Sequence, residues 1–179
     1  MVIIMKINKL TKTLFVGALM LSLSQSQAYA DNFAQDSYIS LLNVLNITET
    51  KQLNFGTIEV PSSDIKVHIT KDGNIGGENT ATHIDTSTIE YGKFKVFGSD
   101  LNSISISATN GGSVANMAFE KLEAKYKSVE GDIISSALTG LDAPKPAGTD
   151  LDLGAVLTVA ANTAEGVYAP DFNLEVNYE

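Results

Sequence analysis

Residues 171–179 read Asp-Phe-Asn-Leu-Glu-Val-Asn-Tyr-Glu. Phe172, Leu174, Val176 and Tyr178 alternate without error against Asp171, Asn173, Glu175, Asn177 and Glu179. A period of two places four large apolar side chains on one face of a β-strand and every polar one on the other. Moving upstream, the same alternation recurs. Ile65, Val67 and Ile69 alternate with Lys66, His68 and Thr70, and Phe94 and Val96 with Lys93 and Lys95. Ile104 and Ile106 alternate with Ser103, Ser105 and Ser107. Short half-buried strands separated by Gly, Asn, Asp and Ser predict an all-β sandwich.

The punctuation supports this. Asn110-Gly111-Gly112 ends one strand, and Lys71-Asp72-Gly73-Asn74 carries an Asp-Gly pair that tolerates positive φ. Pro144 and Pro146 lack backbone donors, so residues 142–148 form a loop or an edge connection. Met117–Tyr126 fits two patterns. As a strand it changes face between Phe119 and Leu122 and needs a bulge, and as a helix it uses Phe119, Leu122 and Tyr126 at spacings of three and four. Context favours the strand.

The amino terminus has a different character. Lys6, Lys9 and Lys12 precede an apolar run from Leu14 to Leu23, and a polar stretch ends in Ala28-Tyr29-Ala30. This is the pattern of a secretory signal peptide, residues 1–30, with an apolar run too short for a permanent span. The expected mature chain, residues 31–179, is one domain with no transmembrane segment. It has nine lysines, no arginine and 21 acidic residues, a net charge of −12. Such a surface repels nucleic acid and anionic lipid. Cysteine is absent, so neither disulfides nor thiolate metal sites contribute.

Chemistry is sparse. His68 and His83 are the only histidines, and each is expected to be exposed and alone. No Gly-x-Ser-x-Gly occurs. Asp72-Gly73-Asn74 and Asp150-Leu151-Asp152 offer alternating oxygens without the longer spacing of an EF-hand loop, and read as solvated turns. The expectation is a non-enzyme with no catalytic residue, metal or cofactor.

The remaining features lie near the ends of the domain. Glu165-Gly166-Val167-Tyr168 precedes the last strand, which places a glycine fourteenth from the carboxyl end and a tyrosine next to last. Leu53-Asn-Phe-Gly-Thr-Ile58 and Leu153-Gly-Ala-Val-Leu-Thr-Val159 lie upstream. In this order the motifs resemble an uncharacterised family of exported pilin-like β-sandwich domains, similar to chaperone-usher fimbrial subunits. The resemblance covers residues 38–179. It implies an immunoglobulin-like antiparallel β-sandwich completed by a strand from another chain, added at an edge. Phe172, Leu174, Val176 and Tyr178 would form the accepting strand, and Gly166 would allow a close approach or a bend. Phe33, Ile39, Leu41, Leu45 and Ile47 would supply a donor segment, although residues 38–47 also read as the domain's own first strand. The same four apolar residues equally suit the last strand of a complete sandwich.

The resemblance further implies other pilus or surface subunits as partners, a periplasmic chaperone and usher, and a place in the periplasm, outer surface or fimbrium of a Gram-negative bacterium. The alternative is a self-contained periplasmic or cell-surface binding and adhesion module.

Overall fold

The computed structural model describes residues 43–179, apart from Ser113 and Ala115. Each alternating stretch becomes a strand because its apolar face has a core to cover, and every pairing between strands is antiparallel. No helix occurs among the described residues.

In chain order the strands are β1 (Asn46–Lys51), β2 (Thr57–Ile58), β3 (Ile65–Ile69), β4 (His83–Asp85), β5 (Gly92–Phe97) and β6 (Ile104–Asn110). They continue with β7 (Met117–Tyr126), β8 (Val129–Asp132), β9 (Leu138–Leu141), β10 (Thr149–Val159) and β11 (Phe172–Tyr178). The larger sheet runs β1-β5-β10-β7-β8, with β3 also on β10. The smaller runs β11-β6-β9, and β2 and β4 form a separate ribbon.

β10 organises the larger sheet. One flank pairs along its length with β7, while the other is shared: Thr149–Leu153 pair with β5 and Ala155–Val159 with β3. Gly154 sits at the changeover. A Cβ there would lie 2.6 Å from the Ile69 carbonyl oxygen, so only glycine lets the chain turning away from β3 pass so close.

Met117–Tyr126 is a strand, and its change of face is a bulge. The register steps from Val156↔Lys121 to Leu157↔Phe119, leaving Glu120 as the extra residue. The bulge returns Phe119 to the same side as Leu122, Ala124 and Tyr126, and all four are buried. Gly73 turns the chain after β3 at φ +81°. Residues 43–45 lead into the first described strand, which begins at Asn46; residues 38–42 of the first strand that the sequence suggests lie outside the described residues.

One core unites the two main sheets. Val67, Val96, Leu122, Tyr126, Leu151 and Leu153 of the larger sheet share it with Ile104 and Ile106 of the smaller. Each such side chain withdrawn from water contributes about 1.5–3 kcal/mol. Phe172, Leu174, Val176 and Tyr178 are only half-buried against this core, together with Leu45, Ile47, Leu53, Phe55 and Phe94. The core thins on the side where β11 faces β1 and β5.

Candidate functional site

A strand edge presents a row of peptide groups that need partners, so the treatment of each edge is informative. β3 is covered. The Lys66 and His68 carbonyls accept from Thr80 and Gly76, and their amides donate to the side chains of Thr80 and Asn79. β7 is covered as well. Beyond its pairing with β8, the Leu122 amide donates to Asp132 Oδ1 at 3.1 Å, and its carbonyl accepts from Ile133. Asn110 extends this edge with its side chain: Oδ1 accepts from the Phe119 amide at 2.9 Å and Nδ2 donates to the Phe119 carbonyl at 3.0 Å. The Ile133 carbonyl also accepts from Ala108 of β6. Ile133 and Asn110 therefore join the two sheets along the side where β6 faces β7. β9 is short, irregular in register and twisted by Gly140 at φ +61°.

β11 has none of these devices. Its register with β6 is unbroken over seven pairs. The bonds flanking the ladder, Gly111 N to Asp171 O and Glu179 N to Ser103 O, fix which peptide groups face β6. Those are the odd-numbered residues, 171 to 179. The backbone groups of Phe172, Leu174, Val176 and Tyr178 therefore point to the open edge, with no partner strand among the described residues. The same four residues direct their side chains to the core. An incoming strand would thus bond to the residues that line the seam it covers. β1 is another sheet edge, but a register irregularity between Glu49 and Lys51 and those two charges blunt it.

The seam between β11 and the β1–β5 edge is held at both ends. At one end the Tyr178 hydroxyl accepts from the Ser99 amide at 2.6 Å and donates to the Asn43 carbonyl at 2.9 Å. At the other, Phe172 packs edge-on to Phe119, with centroids 5.5 Å apart, and to Phe94 at 6.4 Å.

Sequence reasoning placed Phe172, Leu174, Val176 and Tyr178 together, and they share one face of β11. Gly166, grouped with these four and expected to allow a close approach or a bend, lies in the loop before β11, where a Cβ would touch the Tyr168 ring at 3.4 Å. Of the donor segment, Leu45 and Ile47 pack against the core as part of the chain entering and forming β1, and Phe33, Ile39 and Leu41 lie outside the described residues. Asn110, Asp132 and Ile133, which close the opposite side, carry no sequence signal beyond the turn at Asn110-Gly-Gly. The bridging role of Tyr178 was equally hidden, because a penultimate tyrosine does not name its partners.

His68, expected to be exposed, is buried under the loop after β3. Its Nδ1 accepts from the Glu78 amide at 3.4 Å and its Nε2 lies 3.5 Å from Glu123 Oε2. His83 is half-buried, with Nε2 3.2 Å from Asn79 Oδ1. Among the described residues no three His, Asp or Glu side chains gather in a metal-holding group. Asp150 faces Lys95 at 3.6 Å. Burial raises the Asp152 pKa, with Lys93 opposing. Among the described residues no helix is long and apolar enough to cross a membrane.

A family model described as a domain of unknown function, DUF4402, matches residues 45–178, and the chain belongs to that family. No curated protein and no solved structure matches the chain.

Proposed function

We propose that this DUF4402 chain is an exported, non-enzymatic structural subunit of a pilus or surface fibre, associating by addition of a partner strand to the open edge of β11. The carrying observation is the parity of that strand. The four residues with outward-facing peptide groups are the four whose side chains line the thin side of the core. A strand added there satisfies four amides and four carbonyls and lets its own alternate side chains cover half-buried apolar surface. In this reading the two sheets form an immunoglobulin-like sandwich one strand short beside β11. The signal-like amino terminus supports export, and the acidic, arginine-free surface supports a protein partner over nucleic acid or anionic lipid. Other subunits, with a periplasmic chaperone and usher, are the partners this reading names.

The test compares native mass and thermal unfolding of the purified chain with a version carrying a second copy of residues 31–47 after Glu179. The reading expects the plain chain to oligomerise or melt early and the fusion to be a more stable monomer. A plain chain that is already a stable monomer, unaltered by the fusion, overturns it.

A further inference from the structure

The chain's only two histidines meet the same short stretch of loop. Residues 70–82 leave β3, turn at Gly73 and fold back as a strap along its free edge. There Gly76 donates to the His68 carbonyl at 2.8 Å, and Thr80 and Ala81 donate to that of Lys66 at 2.8 and 3.2 Å. His68 lies beneath the strap, and His83 follows it on β4. The Glu78 amide donates to His68 Nδ1 at 3.4 Å, and His83 Nε2 lies 3.2 Å from Asn79 Oδ1. A Cβ at Gly76 would overlap the His68 ring, so the backbone of the strap lies directly against it.

These partners fix both tautomers. A backbone amide only donates, so the Glu78 bond leaves His68 Nδ1 without a proton and puts the proton on Nε2, 3.5 Å from Glu123 Oε2. Asn79 Oδ1 already accepts from the His68 amide, and Nδ2 donates to the Ala81 carbonyl. His83 Nε2 is therefore the donor to Oδ1, and its Nδ1 carries no proton. That Nδ1 is buried with no hydrogen-bond partner. With the strap closed, neither Nδ1 has a place for a proton: one faces an N–H donor and the other faces no acceptor.

We propose that the strap is an acid-released cover: protonation of His68 and His83 loosens it and bares the outward peptide groups of Lys66 and His68 on the β3 edge. A charged His68 repels the Glu78 amide, and a charged His83 must leave its seat to hydrate Nδ1–H, which gives up Asn79. The surrounding charges put this cost on the strap. Glu123 and Lys121 stand on β7 and face His68 whether the strap is open or closed. Glu78 stands on the strap, but its carboxylate hydrogen-bonds Lys121 and lies 3.8 Å from Lys66. His83 has no carboxylate within 4.0 Å among the described residues, and Asp85 on its own strand accepts from the Ser87 amide. The open strap leaves both Nδ1 atoms free to take protons, so acid favours the open form. Glu78 stays charged through the histidine range, because the hydrogen bond from Lys121 lowers its pKa. The device concerns β3 and is independent of strand addition at β11.

The test is amide hydrogen exchange of the full chain, resolved by residue, at about pH 7.5 and about pH 5.5, which bracket the range where histidines change charge. After correction for the intrinsic pH dependence of exchange, protection at Gly76, Glu78, Thr80 and Ala81 is expected to fall about tenfold at the lower pH, the scale of one unpaired buried donor. Lys66 and His68 should lose protection with them, while Val67 and Ile69, which face β10, keep theirs. Equal protection of the strap at both pH values overturns the proposal, and so does an equal loss at Val67 and Ile69, which is unfolding of the sheet. Ring-nitrogen NMR at the higher pH is expected to show the proton on Nε2 of both histidines, and a proton on Nδ1 of either overturns the assignment. A chain carrying His68→Gln and His83→Gln keeps groups that hydrogen-bond Glu78 and Asn79 but do not titrate. Its strap should be equally protected at both pH values, and loosening at the lower pH in that chain rejects the histidines as the cause.

Discussion

The Tyr178 hydroxyl donates to the Asn43 carbonyl at 2.9 Å, tying the end of the last strand to the chain that leads into the first. Because the same oxygen accepts from the buried Ser99 amide, one side chain clasps three segments at one end of the seam. Tyr178→Phe keeps the ring but leaves the Ser99 amide unpaired, at a cost of about 1–3 kcal/mol. Urea unfolding should show the lower midpoint, and limited proteolysis should show faster cleavage near Asn43. Unchanged values for both would remove the clasp from the account.

Proline distinguishes the two sides of β11. At Val176 it deletes an amide facing the open edge, a substitution edge strands accept. At Glu175 it deletes a ladder donor to β6 and should cost about 3 kcal/mol, comparable to proline in other hydrogen-bonded backbone. Val176→Pro should therefore remain folded and lose association, while Glu175→Pro loses much of its thermal stability. Equal destabilisation by both would show that the assigned parity is wrong.

Asn110 acts as a short piece of strand for β7. Asn110→Ala withdraws both partners of Phe119, a loss of about 1–3 kcal/mol. Asp at this position keeps the acceptor and loses the donor, so its unfolding midpoint should fall between those of wild type and Ala at neutral pH.

Acid sensitivity has a local source. The hydrogen bond from Lys121, helped by the nearby charges of Lys121 and Lys66, lowers the Glu78 pKa against the opposing effect of burial. A carboxylate with a lowered folded pKa contributes stability that is full above its unfolded pKa and is lost as pH falls through the folded value. Glu78→Gln should thus flatten the slope of unfolding free energy against pH below the ordinary glutamate range, with little change in that slope at pH 7. An unchanged acid slope would assign it to other carboxylates.

Much of the fold was legible because half-buried strands write their burial as alternation. Residues 65–69, 94–96, 104–106 and 172–178 all follow that rule and occupy β3, β5, β6 and β11. Met117–Tyr126 was ambiguous because a bulge at Glu120 mixes periods of two and three within one strand. β10 is buried along most of both faces, so Leu153–Val159 reads as an apolar run with little alternation to give its two-partner flank away. His68 misled for a tertiary reason: the loop from residue 70 to 82 folds back over the polar side of β3, which no local pattern announces. The candidate edge was visible as a pattern, but its bareness depends on where Asn110, Asp132 and Ile133 spend their hydrogen bonds.

The most direct test is amide hydrogen exchange, resolved by residue, on the dispersed chain and on its assembled form. The account predicts that Asn173, Glu175 and Asn177 are protected in both, while Leu174, Val176 and Tyr178 exchange freely in the dispersed chain and become protected on assembly. Protection of the even-numbered amides before assembly, or their continued exchange after it, would contradict a strand added at β11.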